Sequence, residues 1–173
     1  KGLKNQYSTY GLGVPLIAVR ETDKITRPWE QFYPPGLAFS VTAFLEIMPR
    51  SKPDEGRNRQ QCVLHLYDPL QKTWIQGGER MAPLESDNTT PLACFLNEPL
   101  LNAQVLPTVS LLNADLINKF SRLYMLEPFD PKKIPVVLVH GLWSTPVTWT
   151  EMYNDLRSMD EIRSNYQFWF YLY

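Results

Sequence analysis

The residues best placed to do chemistry directly follow an unbroken run of apolar side chains. Residues 136–139 read Val-Val-Leu-Val, and His140, Gly141, Leu142 and Trp143 come next. An apolar run without alternation is typical of a strand that is buried on both faces. Gly141 permits a sharp turn at a point where a side chain would clash. Backbone N–H groups held at such a turn are suited to stabilising an oxygen atom that becomes negatively charged during acyl transfer.

A helix and a second strand are predicted after this turn. Thr145 stands before Pro146, which places a favourable N-cap before a favourable first helical residue. Apolar residues then follow at helical spacing and predict a helix with one apolar face: Trp149, Met152, Tyr153, Leu156 and Met159. Residues 168–173 form a second apolar run. Strand, turn, helix and strand together predict a βαβ unit with two parallel strands.

The sequence Val139-His140-Gly141-Leu142 resembles the oxyanion-strand region of the α/β-hydrolase family of esterases and lipases. In that family a buried strand ends in His-Gly followed by an apolar residue, and the wider resemblance covers residues 126–173. It implies a serine hydrolase that acts on a small-molecule or lipid ester, or on a related acyl bond. It also implies that the backbone N–H groups of Leu142 and Trp143 bind the oxyanion, each worth about 3–4 kcal/mol, while His140 and Gly141 shape the loop. The alternative is a generic strand-end turn in another α/β sheet.

The nucleophile, acid and base of that family have no counterpart among the 173 residues. No two glycines stand four positions apart, so the G-x-S-x-G motif is absent, and no histidine follows His140. Ser144 lacks the flanking glycines and is interpreted as a cap or loop residue. The resemblance therefore implies that the catalytic Ser, Asp or Glu, and His lie beyond residue 173, in the missing C-terminal part of the hydrolase domain. The 173-residue chain alone is predicted to be inactive.

Both ends of the sequence favour a fragment of a longer protein. It begins with Lys1-Gly2-Leu3, without an initiator methionine or an apolar leader, and it ends within an apolar run. The localisation therefore stays open, with an exported or cell-envelope location among the options. Residues 168–173 are expected to leave a strand without outer neighbours, so the isolated chain is expected to aggregate. A complete but degenerate, non-catalytic chain is the alternative.

Composition excludes several other classes of function. The net charge is −1, with 44% hydrophobic residues, which indicates a globular chain without the basic surface that nucleic acid requires. No apolar run approaches the roughly 18 residues of a membrane-spanning helix. No cofactor and no metal site are predicted, because His, Cys and acidic residues do not stand at ligand spacing. Cys62 and Cys94 are expected to be buried thiols, although their pairing is left open.

The predicted fold class is α/β: the start of an α/β-hydrolase parallel sheet, preceded by a β-rich antiparallel module. The module covers residues 1–120 and the truncated hydrolase part residues 121–173. In the module, residues 37–47 alternate and predict a half-buried strand whose Leu, Val and Ile side chains face inward. Gly77-Gly78 predicts a hairpin turn, Thr90-Pro91 opens a short helix, and residues 100–120 allow a helical face.

A second function is consistent with the same sequence. The β-rich module would recognise a polymer, a lipid surface or another protein, and the hydrolase part would be degenerate. The exposure of four aromatic side chains bears on the choice between the two functions: Trp29, Phe32, Tyr33 and Trp74. If they share one exposed face, they favour a binding module; if they pack against the sheet, they do not.

Overall fold

The computed structural model describes residues 3–21, 27–48, 61–97, 122–141 and 146–172. Short strands dominate these residues. They are β1 (Ser8–Thr9), β2 (Val14–Val19), β3 (Ala38–Ile47), β4 (Cys62–Tyr67), β5 (Trp74–Gly77), β6 (Arg80–Pro83), β7 (Ser86–Asp87), β8 (Arg122–Met125), β9 (Ile134–Val139) and β10 (Tyr166–Leu172).

The helices are short and connect these strands. The α-helices are α1 (Thr90–Leu96), α2 (Thr150–Ser158) and α3 (Asp160–Asn165), and the 3-10 helices are Pro28–Phe32 and Pro146–Trp149. The helix start predicted at Thr90-Pro91 is confirmed, whereas at Pro146 a 3-10 helix begins and the α-helix follows from Thr150. At α1 the side chain of Asp87 supplies the cap, because it accepts the N–H groups of Thr89 (3.0 Å) and Thr90 (2.8 Å). Residues 100–120, for which a helical face was predicted, lie outside the described residues.

Strands β2, β3 and β4 form an antiparallel sheet in that order. Residues 38–47 alternate as predicted. Over most of the strand, however, the buried side is the one that was expected to face solvent. Ser40 and Thr42 are buried, whereas Leu45 and Ile47 are 57% and 59% exposed. The prediction that the larger apolar side chains of this strand face inward is therefore wrong.

Hydrogen bonds to backbone carbonyls explain why the hydroxyl side of β3 is buried. The Ser40 hydroxyl donates to the carbonyl oxygen of Asp87 at 2.6 Å. The Thr42 hydroxyl donates to that of Glu85, also at 2.6 Å. A buried hydroxyl costs little when it has such a partner, and the segment 85–87 supplies both acceptors.

A tight turn joins β5 and β6, as predicted, but it is displaced by one residue. Gly77 pairs with Arg80 at the end of the ladder, so Gly78 and Glu79 form the turn. Gly78 has φ +66°, in the left-handed region that favours glycine. The second glycine is therefore the one that the turn requires.

The remaining three-stranded sheet contains the predicted βαβ unit. β9 and β10 pair in parallel, with Val137 opposite Trp169 and Val139 opposite Tyr171, and α2 and α3 lie between them in the chain. The order is β8-β10-β9, with β8 antiparallel to β10. β10 therefore lies in the middle of its sheet. The expectation that this strand lacks neighbours was wrong, because β8 folds back alongside it.

The predicted α/β class is wrong for this chain. Strand outweighs helix, and most of the strand pairs form small antiparallel sheets, so the described residues are mostly β and do not form the start of a hydrolase-type parallel sheet. The βαβ unit of residues 134–172 contains the one parallel strand pair of the described residues, and the class predicted from it does not hold for the other strands. β2, β3 and β4 follow one another in the chain and pair antiparallel, with no crossover helix of the βαβ kind described between them.

One hydrophobic core joins the two predicted parts of the chain. From the N-terminal part, Leu37, Leu92 and Phe95 contribute buried side chains. Residues 126–170 contribute another set: Leu126, Leu138, Tyr153, Phe168 and Phe170. The βαβ unit therefore folds against α1 and the start of β3, and the end of β9 is held by packing from both parts.

The cysteines differ from the prediction. Cys62 and Cys94 are both exposed free thiols. Cys62 lies at the end of β4 opposite Ile47, on the exposed side of the sheet, and Cys94 lies on the solvent side of α1. Neither thiol acts as a buried apolar group, because β4 has no buried residue and α1 packs inward through Pro91, Leu92 and Phe95.

Candidate active site

The candidate site begins where β9 ends. The strand has β-branched residues at four of its six positions, which favours an extended backbone. β9 pairs only with β10 among the described strands, so it lies at an edge of this sheet. Pro135, which has no N–H to give to a ladder, is compatible with that edge position. The prediction that this strand is buried on both faces is wrong, because Val137 and Val139 are 47% and 49% exposed. Leu138 is buried in the core and anchors the carboxyl end of the strand.

His140 is buried directly after the strand, with 6% of its surface exposed. Its Nδ1 lies 3.0 Å from the carbonyl oxygen of Gly141. A carbonyl oxygen only accepts hydrogen bonds, so Nδ1 carries the proton in this contact. The imidazole thus binds the backbone of the next residue, an arrangement that suits a loop-shaping side chain better than a base open to solvent.

The space around position 141 does not require a glycine there. A Cβ built on Gly141 would meet no described atom within 4 Å, whereas a Cβ at Gly11 would lie 2.1 Å from the carbonyl oxygen of Pro83. The positive-φ glycines among the described residues are Gly13, Gly36 and Gly78. The expected clash at Gly141 is therefore not found.

Leu142 and Trp143, the predicted oxyanion donors, lie outside the described residues, as do Ser144 and Thr145. The chain is described again from the 3-10 helix Pro146–Trp149, which leads into α2. The Thr150 hydroxyl donates to the carbonyl oxygen of Val147 at 2.7 Å and links the two helical segments. Residues 142–145 therefore connect two anchored points, the buried His140 and the start of α2.

The buried face of α2 is only partly the predicted one. Tyr153 is fully buried, and its ring meets those of Phe168 and Phe170 edge-on, with centroids 5.9 and 5.3 Å away. Burial raises the pKa of the Tyr153 hydroxyl far above its ordinary value. Met152 and Met159, which helical spacing placed on the same face, are exposed. The rest of the buried face is polar: Thr150, Asn154 and Arg157.

A buried hydrogen-bond network explains the polar part of this face. Asn154, 2% exposed, accepts a hydrogen bond from the Thr89 hydroxyl (3.2 Å) and donates one to the carbonyl oxygen of Asn5 (2.9 Å). The Thr89 hydroxyl oxygen also accepts the N–H of Tyr7 at 2.9 Å. The N-terminal segment, the start of α1 and α2 are thereby joined through side chains that helical periodicity alone does not mark as buried.

Glu127 carries a largely covered carboxyl group, with 14% of its side chain exposed, that sequence reasoning missed. One carboxylate oxygen accepts the N–H of Phe168 at 3.1 Å, and the other lies 4.0 Å from Nζ of Lys133. Burial raises the pKa of this carboxyl group, while the hydrogen bond from Phe168 and the charge of Lys133 act in the opposite direction. Glu127 lies near the amino ends of β9 and β10, whereas His140 follows the carboxyl end. The two do not form one site.

The four aromatic residues that distinguish a binding module do not share one exposed face. Trp29 packs on Phe129 with ring centroids 5.4 Å apart. The Tyr33 hydroxyl oxygen accepts the N–H of Phe129 at 3.2 Å. Phe32 is half-buried, and Trp74, 54% exposed on β5, is the exposed member of the set.

Within the described ranges, no group of three or more His, Cys, Asp or Glu side chains is arranged to hold a metal ion. None of the helices described is long and apolar enough to cross a bilayer. No protein-family model, curated protein or solved structure matches the chain.

Proposed function

We propose that this chain supplies the oxyanion-binding strand and loop of a serine hydrolase that cleaves a carboxylic ester or a related acyl bond. The observation that supports the proposal is local. A valine-rich strand, paired in parallel with β10 through a helical crossover, leads directly into the buried His140 and the exposed Gly141. The sequence at this point resembles the oxyanion strand of esterases and lipases.

In this proposal the chemistry comes from the backbone. The proposed role of the N–H groups of Leu142 and Trp143 is to bind the carbonyl oxygen of the substrate and stabilise its negative charge in the tetrahedral intermediate. Removal of one such donor typically lowers kcat by about 10²–10³-fold. His140 shapes the loop through its contact with the Gly141 carbonyl and does not act as the base. The reaction needs no cofactor or metal.

The nucleophile, acid and base belong to other residues of a longer parent protein. The chain has two histidines. His140 contacts the adjacent backbone, and His65 lies 2.8 Å from a carboxylate oxygen of Glu46 on the β3–β4 ladder. No serine has the flanking glycines of a nucleophile elbow. The substrate is a small-molecule or lipid ester.

Labelling with a fluorophosphonate tests the assignment of the nucleophile. The full polypeptide encoded by the parent gene should be labelled on a serine outside residues 1–173, and the 173-residue chain should be neither labelled nor active on a simple aryl ester. The Ser144→Ala variant of the chain serves as the control. Turnover by the chain that is abolished in this variant would contradict the proposed location of the triad.

A matched pair of substitutions tests the backbone donor. Leu142→Pro removes the N–H of residue 142, whereas Leu142→Ala removes the side chain and keeps the N–H. In the active parent protein, the Pro variant should lose about 10²–10³-fold in kcat, with a much smaller change for the Ala variant. Equal losses in the two variants would show that the side chain matters and the N–H does not.

A further inference from the structure

One face of the β2-β3-β4 sheet is apolar and exposed. Residues paired across antiparallel strands point to the same side, and the register places Leu45 opposite Leu64 and Ala43 opposite both Val14 and Leu66. The six most exposed members of this outer face are between 46% and 64% exposed: Val14, Leu16, Leu45, Ile47, Leu64 and Leu66. The other members on this side are alanines, Phe39, Val41 and Cys62, so no described position carries a charge.

On the opposite face of the same sheet, the first half of β3 packs inside the chain, while Ile17 and Val63 of the neighbouring strands stay exposed. This half of β3 carries Ser40 and Thr42, whose hydroxyls bind the backbone of residues 85–87, and Ala38, which lies in the core with Leu92 of α1. Phe39, at the start of β3 on the outer face, packs against the core, whereas the six side chains named above stay exposed. Three neighbouring strands present only apolar side chains to solvent there.

The size of the outer face matches that of a protein–protein contact. Its six side chains expose on the order of 600 Å² together, at the upper end of the largest patch on a typical monomer and near the ~800 Å² that each partner buries in a standard interface. Solitary exposed leucines are common on protein surfaces, but a contiguous face of this extent indicates a partner.

We propose that the outer face joins two copies of this chain in a two-fold symmetric dimer, with the two sheets packed face to face. A face without charge is complementary to itself, as a two-fold contact requires. Aligned sheets pack about 10 Å apart with interdigitated side chains, which suits the leucines and valines here. A lipid surface is the less favoured occupant, because this face has no Trp, Tyr, Lys or Arg of the kind found at membrane interfaces.

Two adjacent residues of β4 provide a matched test. Leu64 points from the outer face and Val63 from the opposite one, and both are exposed, at 64% and 40%. The chain should sediment as a dimer at micromolar concentration. Leu64→Glu should raise the dissociation constant at least about a hundredfold, because two-fold symmetry places two buried carboxylates in the contact. Val63→Glu should leave the dimer unchanged.

Circular dichroism checks that each variant folds. If either β4 variant unfolds, Leu16→Glu and Ile17→Glu repeat the comparison on β2, since these neighbours also point to opposite faces. A monomeric wild-type chain, or equal weakening by Leu64→Glu and Val63→Glu, would overturn the proposal.

The two free thiols give an independent readout. Cys62 lies on the outer face and Cys94 on α1, and both are exposed in the single chain. As the chain concentration rises, the rate of thiol modification at Cys62 should fall several-fold while that at Cys94 stays constant. Two results would count against the dimer: modification of Cys62 that is independent of concentration, or protection of Cys62 in a monomeric chain on addition of phosphatidylcholine vesicles. The second would identify a lipid surface as the occupant.

Discussion

The hydroxyl of Thr89 donates a 3.2 Å hydrogen bond to the side-chain oxygen of Asn154, and both residues are buried. Thr89 precedes α1 in the N-terminal part of the chain, and Asn154 lies in α2 of the βαβ unit. This contact, with the bond from Asn154 to the Asn5 carbonyl, fixes α2 against the N-terminal part. Leu142 and Trp143, proposed to bind the oxyanion, precede in sequence the 3-10 helix Pro146–Trp149 that leads into α2.

A double-mutant cycle tests that link. Asn154→Ala should lower the free energy of unfolding by about 2 kcal/mol, because it leaves the buried Thr89 hydroxyl and the Asn5 carbonyl without this partner. Thr89→Val should also destabilise the chain, and the double variant should lose about 1 kcal/mol less than the sum of the single losses. The measurement is urea unfolding, with exposed Asn165→Ala as the control. Strict additivity would show that the two side chains do not act together.

Glu127 should make stability decrease as the pH rises. Burial raises its folded-state pKa above the ordinary value of 4.5, so the folded state holds the proton more tightly than the unfolded state does. Its contribution is fully present below about pH 4.5 and is lost as the pH rises through the raised pKa. Relative to Glu127→Gln, the wild-type chain should therefore gain stability on acidification from pH 7 to pH 4. A constant difference between the two across that range would contradict the shift.

Asp155 should act in the opposite direction. Hydrogen bonds from the side chains of Asn5 (2.9 Å) and Tyr7 (2.8 Å) lower its folded-state pKa below 3.8. Its contribution is present above pH 3.8 and is lost as the pH falls through the lowered pKa. Relative to Asp155→Asn, the wild-type chain should lose stability on acidification below pH 4. Acid titration of both proteins by circular dichroism measures this, and parallel titration curves would rule out the effect.

Two glycines should respond differently to alanine. A Cβ at Gly11 would lie 2.1 Å from the carbonyl oxygen of Pro83, so Gly11→Ala should destabilise the chain by about 1–3 kcal/mol. A Cβ at Gly141 would meet no described atom within 4 Å, so Gly141→Ala should leave the melting temperature within about 2 °C of wild type. Thermal unfolding distinguishes the two. A large loss at Gly141 would mean that its position depends on contacts made by residues outside the described ranges.

Local patterns in the sequence located many of the elements. The Thr-Pro pair predicted the start of α1, and the alternation of residues 37–47 predicted a strand. The apolar runs on either side of α2 predicted the parallel pair β9–β10. These features depend on backbone preferences and on spacing within a short stretch, which are visible without a partner. The exposure of Cys62 and Cys94 was not predicted, because exposure depends on what covers each face.

By itself, the sequence determined the βαβ unit, the His140-Gly141 step after its first strand and, to within one residue, the turn between β5 and β6, because each depends on residues close in the chain. Only the tertiary structure decided that the chain as a whole is mostly β, that the hydroxyl side of β3 is the buried one and that Asn154 is an interior residue. The physical reason is the same in each case. A polar side chain is buried only where a distant segment supplies its hydrogen-bond partner, and an apolar face stays exposed where none covers it.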